Sequence, residues 1–127
     1  IAGVIAFGVA LDYMNSIGFD NIENHEKELL DYATENLKKI DGIKIYGDNN
    51  QKISVISFNI GDHHPSDIGS ILDQFGIAVR TGQHCTQPIM DFYKIPGTVR
   101  ASFSFYNTKS EIDLFIDALI KASKMLG

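Results

Sequence analysis

Apolar positions fill the start of the chain without interruption. Ile1 to Leu11 reads IAGVIAFGVAL and carries no polar side chain. It predicts a helix over Ala2 to Ile17, broken by Gly18. A helix that is apolar all round is normally buried on several sides, so cover from residues upstream of Ile1 is expected. The run is short of the ~20 residues a bilayer span needs, and no basic flank precedes it as in a secretory signal. The chain opens on Ile rather than Met and so reads as a piece of a longer polypeptide. Gly3 and Gly8 suit close helix packing better than a phosphate loop, since no strand precedes them.

The pattern then becomes amphipathic. Ile22, Leu29, Leu30, Ala33, Leu37 and Ile40 recur at helical spacing and predict a second helix over Ile22 to Ile40 with one buried stripe. Glu23–Lys27 and Glu35–Lys39 are i,i+4 pairs in the favourable order, His25 falls on the polar face, and Gly42 is placed for a left-handed cap. Alternation over Ile43 to Tyr46 and Ile53 to Ile60, joined by the turn cluster at 47–51, predicts a hairpin. After the loop at 61–65, Ser66 is the expected N-cap of a short helix carrying Ile68, Ile71, Leu72 and Phe75 and stopped by Gly76. Ile77 to Val79 reads as a brief strand and Arg80 to Gln87 as a polar loop. Pro88 to Tyr93 reads as one or two helical turns. Thr98 to Phe105 alternates, with Val99, Ala101, Phe103 and Phe105 on one face and Arg100, Ser102 and Ser104 on the other. Thr108 to Glu111 is a capping box opening a last helix with Ile112, Phe115, Ile116, Leu119 and Ile120 inward. The order α-α-β-β-α-β-β-α predicts an α+β module, a small, mostly antiparallel sheet with helices packed on it.

Length and composition narrow the picture. The 127 residues make one domain, with ordinary hydrophobic (44%) and charged (21%) content. A net charge of −5 argues against a nucleic-acid binder, which needs clustered positive charge. A single cysteine excludes an internal disulfide and a multi-thiolate zinc site. Its free thiol suits a reducing, cytoplasmic compartment.

The densest polar cluster is Arg80-Thr-Gly-Gln-His84-Cys85-Thr-Gln-Pro88. A free cysteine commonly packs as a small hydrophobe, but these neighbours compose a loop, and loops run over surfaces. Cys85 therefore reads as exposed, and either as an inert thiol or as a nucleophile, with Arg80 and a protonated His84 placed to favour its thiolate. Arg100 on the polar face of its strand reads either as a solvated edge residue or as a guanidinium fork gripping a carboxylate. His63 and His64 are adjacent, so their side chains diverge in extended backbone. With no His-x-x-x-His or Cys-x-x-Cys frame, no metal site is expected.

Residues 80–90 (RTGQHCTQPIM) and 95–113 (IPGTVRASFSFYNTKSEID) together resemble the C-terminal part of Suf-type, group II cysteine desulfurases, members of the class-V aminotransferase family with fold type I. The likeness extends to IAGVIAFGVALDYM at the start, VISFNIGDHHPSDIGSILDQFGIAVRTG in the middle, and the last helix. It implies the small C-terminal domain of a pyridoxal-phosphate enzyme that converts L-cysteine to L-alanine, with residues 1–17 as an interdomain helix. In that family the residue matching Cys85 is the nucleophile that becomes a persulfide. Arg100 matches the arginine that binds the substrate carboxylate, and Arg80 the arginine at the base of the cysteine loop. His84 flanks the nucleophile in an auxiliary, electrostatic part. Many relatives have a second histidine where this chain has Gln83, which carries neither proton nor charge.

The family's Schiff-base lysine follows a Ser-x-His motif that this sequence lacks, and Asn24-His25-Glu26-Lys27 is a decoy on an amphipathic helix. The resemblance therefore implies a chain with no cofactor-binding residue of its own and no turnover alone. It also implies a homodimeric parent and a dedicated sulfur-acceptor protein that feeds iron–sulfur cluster assembly, with no membrane or nucleic-acid partner. Selenocysteine lyase shares the layout, and a stand-alone interaction or sulfur-carrier module is the alternative of another class.

Overall fold

A computed structural model describes residues 1–49 and 52–127; Asn50 and Gln51, within the turn expected at 47–51, lie outside the described residues. The elements are α1 (Ala2–Ile17), α2 (Phe19–Leu37), β1 (Ile43–Tyr46), β2 (Val55–Ile60), α3 (Pro65–Gln74), β3 (Arg80–Gly82), α4 (Gln87–Tyr93), β4 (Thr98–Ser102) and α5 (Lys109–Leu126). The strands form one four-stranded sheet in the order β1-β2-β4-β3, and every pairing is antiparallel. The α+β expectation holds.

Period-two alternation divides the sheet into two unlike faces. Ile56, Phe58 and Ile60 of β2 and Val99 and Ala101 of β4 point into the core, where they meet Leu29, Leu30, Ala33 and Leu37 of α2, Ile68 and Leu72 of α3, and Ile112, Phe115 and Leu119 of α5. The opposite face carries Ser57, Asn59, Thr98 and Arg100. The capping box forms as expected: the Thr108 N–H donates to Glu111 Oε2 (2.7 Å) and the Glu111 N–H donates to Thr108 Oγ1 (3.3 Å).

Several expectations need correction. The third strand is Arg80–Gly82, not Ile77 to Val79. Ile77 and Val79 pack against the core, but the pairing with β4 runs only from Arg80 opposite Arg100 to Gly82 opposite Thr98, while the Phe103 N–H donates to Ser54 O (2.9 Å) on the β2 side. A cleft of about 370 Å³ is left between these segments, lined by Ile77, Val79, Ala101 and Phe103. Strand β4 also ends at Ser102 rather than Phe105, because Asn107 Oδ1 captures the Ser104 N–H (2.9 Å) in a turn. Helix α3 begins at Pro65, with His64 Nδ1 accepting from the Ser66 N–H (3.3 Å), so His64 rather than Ser66 is the N-cap. Proline's preset φ explains the earlier start.

Helix α2 spans Phe19 to Leu37, and its C-cap is Lys38. Gly42 does take φ +74°, but in the turn into β1, where its carbonyl accepts from the Gly61 N–H (2.9 Å). Neither Glu23–Lys27 nor Glu35–Lys39 pairs. Among the described residues the ion pairs are Lys38–Asp48, Lys52–Asp48 and Lys109–Glu28. The missing pairs cost little, since each is worth only about 0.2–0.5 kcal/mol. His25 is half-buried rather than solvated, and its Nε2 bonds Asn107 O at 3.0 Å.

Helix α1 stands off this body. No residue in it is buried, and it meets α2 at a bend of 79°. Val4, Ile5, Phe7 and Val9 are all exposed. Among the described residues no single helix is long and apolar enough to cross a membrane.

Helix α3 approaches β3 so closely that a Cβ on Gly69 would lie 2.5 Å from Thr81 Cγ2. Gly69→Ala is expected to destabilise the chain by about 1–3 kcal/mol through overpacking. Adding Thr81→Ser, which removes that methyl, should restore most of the loss. Denaturant midpoints of the two variants check this.

Candidate active site

The sheet's non-core face sets a row of side chains across all the strands. Tyr46 is opposite Ser57, Ser57 opposite Arg100, and Arg100 opposite Arg80. The two arginines are thus direct cross-strand partners on one face. Like charges so placed repel, and neither has an acidic partner among the described ion pairs. Arg100 is half-buried, and its buried Nε has no hydrogen-bond partner among the described residues. An anion bound between the guanidinium groups would relieve the repulsion, and a carboxylate would match their planar forks.

From Gly82 the chain leaves β3 and folds back over this face before entering β4. Three contacts show the path. His84 Nε2 lies 3.1 Å from Thr98 O and 3.0 Å from Thr98 Oγ1. Asn59 Nδ2 donates to Gly97 O at 2.9 Å. The Tyr93 ring at the end of α4 meets Tyr46 edge-on, with centroids 5.1 Å apart. This cover explains why Asn59 and Thr98, polar residues on a non-core face, are buried.

Cys85 sits at the tip of this segment and is exposed. His84 (φ +55°) and Cys85 (φ +60°) are consecutive residues in the left-handed region. The Thr86 N–H donates to Gln83 O (2.9 Å) and closes a tight turn around them. Left-handed backbone costs a non-glycine residue about 1–2 kcal/mol, so this turn stores strain at the thiol.

A carbonyl only accepts, so the bond to Thr98 O puts the ring hydrogen of His84 on Nε2. Burial lowers the His84 pKa below the usual histidine range, and the positive charges of Arg100 and Arg80 lower it further, against the opposing pull of the Thr98 bond. The protonated His84 expected to favour a Cys85 thiolate is thus corrected: burial first, and the two guanidinium groups after it, disfavour the charged ring.

All four residues singled out from the sequence, Arg80, His84, Cys85 and Arg100, therefore belong to β3, β4 and the segment between them. Thr98, Asn59 and Gly97, which hold that segment, were not singled out. The available signal was a threonine and an asparagine at sheet positions that a covered face would bury.

The lysine on this sheet face, Lys44, is on the far edge strand, with its ammonium over the Tyr46 ring. Among the described residues no three His, Cys, Asp or Glu side chains gather as metal ligands. His64 is occupied as a helix cap.

Residues 1–115 match the family model described as aminotransferase class-V. The chain is 45% identical over 125 residues to a cysteine desulfurase of Cronobacter sakazakii, covering 98% of this chain and 30% of the relative. It is 48% identical over 127 residues to a probable cysteine desulfurase of Xylella fastidiosa, again covering 30% of that protein. Among solved structures it is similar to the cysteine desulfurase CsdA (S-sulfonic acid) of Escherichia coli, with a TM-score of 0.90 and 34% identity, covering 98% of this chain and 31% of that one. The apo cysteine desulfurase of Thermococcus onnurineus aligns with a TM-score of 0.85 and 38% identity, over 90% of this chain and 29% of that one. The chain thus spans about 30% of the length of these relatives.

The lowered His84 pKa carries a sign. Below the usual value of about 6.5 the unfolded chain binds a proton that the folded chain resists, so stability is full above that range and is lost as pH falls through the folded value. Between about pH 7.5 and about pH 5, wild type should lose more stability than His84→Gln. Paired denaturation curves across that range read the difference, which isolates His84 from the other histidines.

Proposed function

Because this chain belongs to the class-V aminotransferase family, we propose that it is the small C-terminal domain of a Suf-type cysteine desulfurase, contributing the substrate's carboxylate grip and the sulfur-accepting thiol. The observation that carries this reading is the uncompensated Arg80–Arg100 pair on the face covered by the Cys85 segment. The pair offers L-cysteine a carboxylate site on rigid strands. The Cys85 sulfur attacks the substrate sulfur, forming an S–S bond as the substrate's C–S bond breaks. L-Cysteine plus the Cys85 thiol thereby becomes L-alanine plus a Cys85 persulfide, and atoms balance. The exposure of Cys85 leaves the outer sulfur open to an acceptor protein, the step that would feed iron–sulfur cluster assembly in the cytoplasm.

Pyridoxal phosphate belongs to the parent enzyme, held by residues outside this chain, and the parent acts as a homodimer. Residues 1–17 are its interdomain helix. The exposed apolar side chains of α1 support that placement, since such a helix is ordinarily covered on several sides. The chain by itself should neither hold the cofactor nor turn over.

In the full-length parent, Cys85→Ser is expected to abolish alanine release from cysteine and the one-sulfur mass gain on the Cys85 peptide; continued release would overturn the assignment. Arg100→Ala should weaken cysteine binding by about 2–5 kcal/mol, a KM raised at least about 30-fold. Parallel assays with selenocysteine measure the chalcogen preference.

A further inference from the structure

We propose that Thr98 is the positioning residue for the Cys85 thiol: through the His84 ring it holds the turn at 83–86 in the doubly left-handed form that presents that thiol. This rests on the reading of Cys85 as the sulfur acceptor. Two adjacent non-glycine residues with positive φ persist only where their surroundings over-determine them. Within the turn, the Thr86 N–H and Oγ1 both bond Gln83 O, at 2.9 and 2.7 Å. These bonds are local and tie the turn to nothing else. The tertiary hold on the two left-handed residues is the His84 Nε2–H, shared between Thr98 O and Oγ1.

Thr98 is suited to anchor it. It is only 2% exposed and pairs with Gly82 where the segment leaves β3. Next to it, the carbonyl of Gly97 is held by Asn59. Gly97 lies so close to Gly82 that a Cβ there would sit 2.7 Å from the Gly82 carbonyl carbon and oxygen. Both ends of the segment are therefore clamped beside Thr98. Two of the three buried polar residues of the described chain, Asn59 and Thr98, serve this clamp. Thr98 also shares a strand and a face with Arg100, two residues on. The anchor thus refers the thiol to the same rigid strand that grips the carboxylate, setting the spacing between the two ends of one substrate. The neutral state of His84 fits a hydrogen-bonding strut rather than a charge.

The test uses the full-length holoenzyme with Thr98→Val, Thr98→Ser and His84→Asn. Valine keeps the shape of Thr98 without its hydroxyl, serine keeps the hydroxyl, and asparagine tolerates left-handed backbone but cannot reproduce the imidazole strut. Thr98→Val is expected to lower kcat for alanine release about tenfold, as a displaced reacting group does, with KM for cysteine within about twofold of wild type. Thr98→Ser should restore kcat, and His84→Asn should repeat the valine pattern without altering the buried strand. Nitrogen-15 NMR should find His84 as the Nε2–H tautomer in wild type and Thr98→Val alike, since the residue-98 carbonyl remains an acceptor, with the Nε2 resonance displaced in Thr98→Val by loss of the hydroxyl bond. Unchanged kcat in Thr98→Val, or a KM that rises with the fall in kcat, would overturn the proposal. Because Cys85→Ser tests the underlying reading separately, an inactive Cys85→Ser beside a fully active Thr98→Val condemns only the role of Thr98.

Discussion

Two positive charges set directly opposite each other on adjacent strands are the constraint around which this face of the sheet is organised. Backbone pairing sets Arg80 opposite Arg100, a cross-strand relation in which like charges repel. No described acidic side chain answers them. A chain with five more acidic than basic residues has thus kept its acids away from this spot. Burial, with these charges adding to it, lowers the His84 pKa, which turns a prospective electrostatic partner of the thiol into a hydrogen-bond donor for Thr98.

Much of this was legible in the sequence where one physical rule dominated. The stripes of α2 and α5 and the alternation of β2 follow from burial on one side, and the capping box from reciprocal bonds among Thr108 and Glu111. Errors gathered where tertiary contacts decide between local options. Ile77 and Val79 alternate like a strand and pack inward, yet the backbone pairing with β4 stops at Arg80. Ser66 is a good N-cap by type, but Pro65 before it moves the helix start back to His64.

The candidate residues were likewise found from composition and family likeness, while their arrangement was not. Nothing in the local pattern says that the segment after Gly82 returns over the sheet's polar face. That return buries Asn59 and Thr98 and creates the positive-φ turn at His84 and Cys85. A sequence reader sees histidine beside cysteine and infers charge. The fold puts two guanidinium groups nearby and makes that charge unfavourable.

The segment bounded by Arg80 and Arg100 has one more implication. Thiol, strut, anchor and both guanidinium groups lie on a single hairpin, stapled to itself at Gly82–Thr98 and backed by the sheet. Under the proposed assignment to a larger parent, any hinge motion of this chain would carry those groups together as one jaw. Swinging would change how far the jaw stands from groups on another domain and would leave the spacing of its own teeth untouched.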